Sequence, residues 1–165
     1  MDNTTLSPLV QEAKERQFWL KPFGDPKNPI QAVHTFPRAI EEITFAKRPN
    51  TLHLDDILIV YAVGISKILF VADYYTSPRE ITSQERPSEA WRDRWRWSIR
   101  GHNFTPIYGS KWSNYALHPF DLVKEYNSTH LDDTQNLGSL QFGADKQHIS
   151  KGFAVFIFEK IMQLK

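Results

Sequence analysis

The chain has 165 residues, enough for one sizeable hydrophobic core and short for two domains. It has no cysteine, which excludes disulfides, thiolate metal sites and cysteine nucleophiles and favours a cytoplasmic location. The net charge of +1 argues against a protein that coats nucleic acid by bulk electrostatics alone. Neither a signal peptide nor a membrane-length apolar run is evident. We expect one domain over residues 1–165, with 1–16 a peripheral N-terminal segment.

The first elements predicted after residue 16 are a strand and a helix. Residues 17–21 contain the apolar run Phe18-Trp19-Leu20 and precede a turn rich in proline and glycine, which is typical of a strand end. Pro37 fits a first helical position, and Ile40 and Ile43 fall on one helical face. A helix over about 37–47 is therefore predicted.

Two apolar runs, 57–63 and 68–75, flank a short segment that begins with Gly64 and predict a β-hairpin. Both runs are apolar on successive residues rather than on alternate ones. Both faces of the sheet must then be covered, as in a strongly curled sheet.

Residues 95–100 alternate strictly, which is typical of a strand with one covered and one exposed face. One face carries Trp95, Trp97 and Ile99. The other carries Arg94, Arg96, Ser98 and Arg100. The two tryptophans fit either core packing or a stacking wall for a planar ligand. Trp91 precedes the strand in polar sequence and is open to the same two interpretations.

The last part of the chain predicts two helices. Pro119 opens a short helix through residue 126. Near the end, Ile149, Phe153, Phe156, Ile157 and Ile161 recur at helical spacing, and the length of the pattern favours a helix over a strand.

No catalytic signature is evident. The chain has no phosphate-binding loop, dinucleotide-binding glycine pattern or serine-hydrolase elbow, and its six histidines never stand four apart as helical metal pairs do. The pair Asp55-Asp56 is expected to form a turn at a strand entrance, and Asp132-Asp133 to be solvated. We predict no catalytic residue, no metal and no cofactor.

A second aromatic segment, residues 108–115, is loop-like and could close a pocket. It contains Trp112, together with Asn114, whose amide can hydrogen-bond a polar ring edge. The same segment could instead be pinned onto the core.

The order of elements resembles the PUA-like superfamily, and its EVE and YTH branches most. The resemblance is carried by the strand around Trp19, the hairpin entered through Asp55-Asp56, the segment 91–97 and the C-terminal helix. It implies an α+β pseudo-barrel: a curved, mixed or antiparallel β-sheet with helices packed outside. It also implies a modified base of DNA or RNA in an aromatic cage, with Trp91 as a wall. Unlike the YTH branch, the chain has no Trp between residues 22 and 54, so Trp19 or Trp112 would have to substitute.

The leading hypothesis is a non-catalytic module that binds DNA or RNA and receives one base, modified or not, in an aromatic pocket. The candidate base-binding residues are Trp19, Trp91, Trp97, Trp112 and Asn114. The candidate phosphate contacts are Arg94, Arg96 and Arg100. The alternatives are a protein-interaction or small-molecule-binding module and, as a third option, an ASCH-like ribonuclease. The sequence does not choose between DNA and RNA, and it does not indicate an oligomeric state.

Overall fold

The strands form a seven-stranded sheet. The computed structural model describes residues 16–23, 42–53, 55–63, 68–74, 78–85, 95–106 and 117–163. The strands are β1 (Phe18–Phe23), β2 (Glu42–Phe45), β3 (Ile57–Ala62), β4 (Ile68–Tyr74), β5 (Arg79–Glu80), β6 (Trp97–Pro106) and β7 (Gln147–Ile149). The helices are α1 (Pro119–Thr129), a 3₁₀ turn (Leu131–Asp133), α2 (Gly138–Gln141) and α3 (Lys151–Met162). The prediction of an α+β chain is confirmed.

The sheet is mixed. Its order is β2-β6-β4-β3-β1-β7, with β5 also paired to β6. The β1–β3 pair is parallel, and the other pairs are antiparallel. Strands β2 and β7 end this order, and no ladder joins them among the described strands. The described sheet is therefore open, and it does not close into the barrel that the resemblance implies.

Strand β3 of the central hairpin is buried on both faces, as its successive apolar residues predict. The four residues 57–60 are each 0% exposed. One face of the sheet packs on the helices, with Leu20 and Ile59 in the same hydrophobic cluster as Phe153. Lys21 follows Leu20 in β1, so the two side chains point to opposite faces of the sheet. The Lys21 ammonium lies over the ring of Phe45 in β2. Strand β2 therefore covers the second face, which shows that the sheet curls.

The two long helices cover the first face. Pro119 stands in the first turn of α1, as predicted, and Ser150 caps α3 by accepting a hydrogen bond from the Phe153 amide at 3.1 Å. Helix α3 buries five residues: Phe153, Ala154, Ile157, Phe158 and Ile161. The predicted C-terminal helix is confirmed, except that Ile149 belongs to β7.

The helix predicted over 37–47 is wrong where the structure describes that segment. Residues 42–45 form β2, paired antiparallel with β6. Ile43 and Phe45 are 0% exposed and Thr44 between them is half-buried, which is the period of a strand. Pairing with a distant strand overrides the local helical spacing, because a ladder and a buried face outweigh propensity.

Asp133 is not simply solvated, contrary to the prediction for the pair 132–133. Its carboxylate accepts a hydrogen bond from the Tyr126 hydroxyl and another from Ser150 Oγ at 2.6 Å. Desolvation, with the bond to Asp133 second, raises the pKa of Tyr126 and keeps its hydroxyl a donor. Asp133 therefore ties the end of α1 to the start of α3, whereas Asp132 is exposed.

Candidate nucleic-acid interface

The start of β6 presents the two described tryptophans of the alternating segment. In the ladder Phe45 stands opposite Trp97, and Ile43 stands opposite Ile99. Directly opposed residues share a face, so Trp97 lies on the side where its partner is buried. Trp95 and Trp97 are nevertheless only half-buried. The predicted strand is confirmed, and its first aromatic residues keep part of their surface in solvent.

A cation lies over each of these indole rings. The guanidinium carbon of Arg48 is 5.4 Å from the centre of the Trp97 ring, and Lys21 Nζ is 5.6 Å from that of Trp95. Both distances are in the range of cation–π attraction. One electron-rich face of each indole ring is therefore already in contact with a cation.

The two cations differ in how firmly they are held. Lys21 is 1% exposed, and its Nζ donates a 2.7 Å hydrogen bond to the Pro22 carbonyl and lies 4.7 Å from the Phe45 ring centre. Arg48 is exposed. Because a guanidinium is weakly hydrated and stacks readily, Arg48 can shift from the ring to a ligand phosphate at small cost.

Arg96 is the residue immediately before β6, and its side chain extends into solvent, as the alternation predicts. It pairs with Glu80 Oε1 at 2.9 Å, and its side chain is 59% exposed. An ion pair this exposed contributes little and can be exchanged for a phosphate. The strand face that carries Arg96 and Ser98 is not exposed along its whole length, however. Ser98 is 0% exposed where β5 pairs with β6.

Trp19 lies in a different environment from Trp97. It is 7% exposed, and its indole N–H donates a 3.0 Å hydrogen bond to Asp56 Oδ2. The ring of His148 meets it edge-on at 5.3 Å, and Lys146 Nζ lies 5.0 Å from its centre. These contacts leave Trp19 little surface for a base and favour a role in holding the fold.

Asp56 forms the predicted turn with Asp55, whose φ of 72° lies in the left-handed region. Asp56 itself is 2% exposed, and its carboxylate also accepts hydrogen bonds from the backbone N–H of Gln17 at 3.1 Å and of His53 at 2.9 Å. Three N–H donors thus satisfy one buried carboxylate. The pair works as a structural anchor between β1 and β3.

Four of the predicted site residues lie outside the described residues: Trp91, Arg94, Trp112 and Asn114. Arg100 lies in β6 opposite Glu42 of β2. Trp97 and Arg96 are consecutive residues at the start of β6. The structure places Arg48 over the first and Glu80 against the second. The binding roles of all the predicted site residues stay predictions.

Sequence reasoning missed Lys21 and Arg48. Arg48 belongs to a basic pair before Pro49, which the predicted helix assigned to a helix end. Lys21 carries no local signal, because its burial results from β2 and the start of β6 folding over β1. Only the curl of the sheet shows that either cation lies over a tryptophan.

Two further kinds of feature would indicate a function among the described residues: a cluster that could hold a metal ion and a helix that could span a membrane. In that part of the chain no three histidine or carboxylate side chains group closely enough to hold a metal ion. None of the described helices is long and apolar enough to cross a bilayer.

Comparison with known proteins gives structural neighbours only. No protein-family profile and no curated protein sequence matches the chain. A hypothetical protein from Leishmania major is similar in structure, with a TM-score of 0.55 and 13% identity over 92% of this chain and 98% of that one. This likeness shows a shared fold.

Two further solved structures are similar at lower scores. One is the YTH domain of Zygosaccharomyces rouxii MRB1 in complex with N6-methyladenosine RNA, with a TM-score of 0.49 and 12% identity over 90% of this chain and 88% of that one. The other is protein Atu2648 from Agrobacterium tumefaciens, with a TM-score of 0.45 and 12% identity over 88% and 92%.

Proposed function

We propose that the chain is a nucleic-acid-binding module that stacks a base against the aromatic surface at the start of β6. The observation that carries the proposal is Trp97, half-exposed, with Arg48 over its ring and Arg96 next to it in the chain. A base stacked on an indole gains about 1–3 kcal/mol, and neighbouring arginines neutralise phosphates.

A single-stranded or locally opened partner suits this surface best. A base must leave its own stack before it can lie against Trp97, at a cost of a few kcal/mol that is smallest for single strands. Trp95, whose ring lies over the buried Lys21, is the described candidate that we propose for a second ring contact. Trp91, Trp112 and Asn114 stay predicted members of the pocket, together with Arg94 and Arg100 as predicted phosphate contacts.

Binding of labelled single-stranded RNA and DNA at about 50 and about 200 mM salt tests the proposal. We expect Trp97→Ala to weaken binding at least about fivefold and Trp97→Phe to retain most of it, because a phenyl ring still stacks. Arg96→Gln removes one phosphate contact. The slope of the logarithm of the binding constant against the logarithm of the salt concentration should therefore become shallower by about 0.7. Binding that Trp97→Ala leaves unchanged would overturn the assignment.

Recognition of a modified base is the finer part of the proposal, inferred from the sequence resemblance. It is tested with two RNAs of one sequence that differ in a single N6-methyladenosine. We expect the methylated strand to bind more tightly and Trp91→Ala to remove the difference. Equal affinities for both strands would reduce the function to general single-strand binding.

A further inference from the structure

A groove of about 420 Å³ lies between the end of α1 and one face of α3, among residues unrelated to the aromatic surface at β6. Its lining consists of Tyr126, His130, Lys151, Gly152, Val155, Phe156 and Glu159. The volume is in the range of small-molecule sites. The α3 residues recur at intervals of three and four, so they form one continuous helical face.

Close approach of the two helices shapes this groove. A β-carbon at Gly152 would clash with the Tyr126 hydroxyl and come within 2.8 Å of Asp133 Oδ2. The absence of a side chain there lets Tyr126 reach Asp133 and leaves the first turn of α3 uncovered. Val155 and Phe156, one turn later, remain half-buried.

One wall of the groove is aromatic. The Tyr126 and His130 rings stack at 4.0 Å with 9° between their planes, and Phe156 meets Tyr126 edge-on at 5.4 Å. His130 Nδ1 lies 3.0 Å from the Tyr126 carbonyl oxygen and 2.8 Å from Thr129 Oγ1, and these contacts hold the ring in place. Because His130 is exposed and Phe156 is half-buried, part of this ring surface is accessible to an apolar planar ligand.

The groove has a cation at one end and an anion at the other. Lys151 and Glu159 are both exposed, and neither forms an ion pair within the described part of the chain. Eight helical residues separate them, which corresponds to about 12 Å along α3. A second lysine, Lys160, is paired with Glu125 at 2.6 Å. It is not in the lining, although its Nζ lies 5.2 Å from the centre of the Phe156 ring.

From this arrangement we infer that the groove binds a small aromatic anion whose ring carries an N–H group. Its carboxylate or phosphate lies at Lys151, its ring packs on Phe156 and His130, and its N–H points toward Glu159. Charge complementarity at both ends and the aromatic wall between them select this chemistry over a neutral apolar ligand.

Three probes separate the contributions of the anion and of the N–H: indole-3-acetate, the neutral indole-3-acetamide and naphthalene-1-acetate, which lacks the ring N–H. Titration of the full chain followed by amide NMR shifts gives both the site and the affinity. We expect indole-3-acetate to shift residues 126–130 and 151–159, and to bind at least about fivefold more tightly than either analogue.

Substitutions of the two exposed charged residues then test which end of the groove binds each group of the ligand. Lys151→Gln should weaken indole-3-acetate about fivefold or more and leave indole-3-acetamide unchanged. Glu159→Gln should weaken both indoles and leave naphthalene-1-acetate unchanged. Lys124→Gln, an exposed lysine on α1 outside the lining, is the matched control and should change none of the three. The inference is overturned if the three probes bind alike, or if no saturable shift occurs at the lining residues.

Discussion

Trp19 and Trp97 each lie against charged side chains, yet their surroundings are opposite. Trp19 is buried and its N–H is bonded to the Asp56 carboxylate. Trp97 is half-exposed, and its ring face meets the exposed Arg48. Trp19 could contact a ligand only by giving up its buried hydrogen bond, which would cost stability. Trp97 could contact a ligand if Arg48 moved off its half-exposed ring.

The difference separates two roles that the sequence treats alike. Both tryptophans are in or beside strands, and both were candidate base-binding residues. The polar partner distinguishes them, because a carboxylate anchors the indole edge and a guanidinium shares the indole face. Substitutions at the two places should therefore affect different measurements.

The largest effect should come from Asp56→Ala. The change leaves the Gln17 amide, the His53 amide and the Trp19 indole without their acceptor. Unmatched buried donors are costly, and we expect the free energy of unfolding in urea to fall by about 3–5 kcal/mol. Asp55→Asn, which tolerates the left-handed turn, is the control and should change it by about 0.5 kcal/mol or less. A loss under about 1 kcal/mol for Asp56→Ala would contradict the anchor.

Trp19→Phe sharpens the comparison from the same side. It removes one hydrogen bond to Asp56 and should lower the free energy of unfolding by about 1–2 kcal/mol. Affinity for single-stranded RNA should stay within about twofold of the parent chain, since the ring has little exposed surface. If Trp19→Phe weakens RNA binding as much as Trp97→Ala does, the two regions do not differ in role.

Arg48→Gln tests the other side. Loss of the cation over Trp97 should change stability by only about 0.5 kcal/mol. RNA affinity should fall about two- to fivefold. The slope of the logarithm of the binding constant against the logarithm of the salt concentration should become shallower by about 0.7. Lys47→Gln is the matched control, because Lys47 is also exposed but has no described ring contact. An equal effect from both variants would mean that bulk charge, and not the ring-bound guanidinium, matters.

The smallest effect belongs to the ion pair beside β5. A hydrogen bond from Arg79, with the Thr82 amide second, lowers the pKa of Glu85 from 4.5 to about 2. A depressed folded pKa adds stability above pH 4.5 that is lost as the pH falls toward 2. Because the pair is exposed and screened, its contribution is about 0.5 kcal/mol.

Glu85→Gln removes this pH dependence. Urea unfolding of the parent chain and the variant should differ near neutral pH, and the difference should shrink steadily between pH 4.5 and about pH 2. A difference that stays constant over this window would show that the carboxylate does not titrate as assigned.

The sequence by itself determined the elements whose signal is local. The hairpin of β3 and β4, the alternation around Trp97, and helices α1 and α3 were all predicted, because periodicity reports which side of an element is covered. Burial of both faces of β3 followed from the same pattern. The cytoplasmic location and the modified base stay predictions.

The tertiary structure decided everything that depends on residues far apart in the chain. The bond between Trp19 and Asp56 joins positions 37 residues apart, and the cation over Trp95 requires β1 and the start of β6 to be brought together. Strand β2 forms only because β6 supplies its partner. Spacing along a chain carries no information on such contacts, because they are set by how the whole sheet curls and buries its second face.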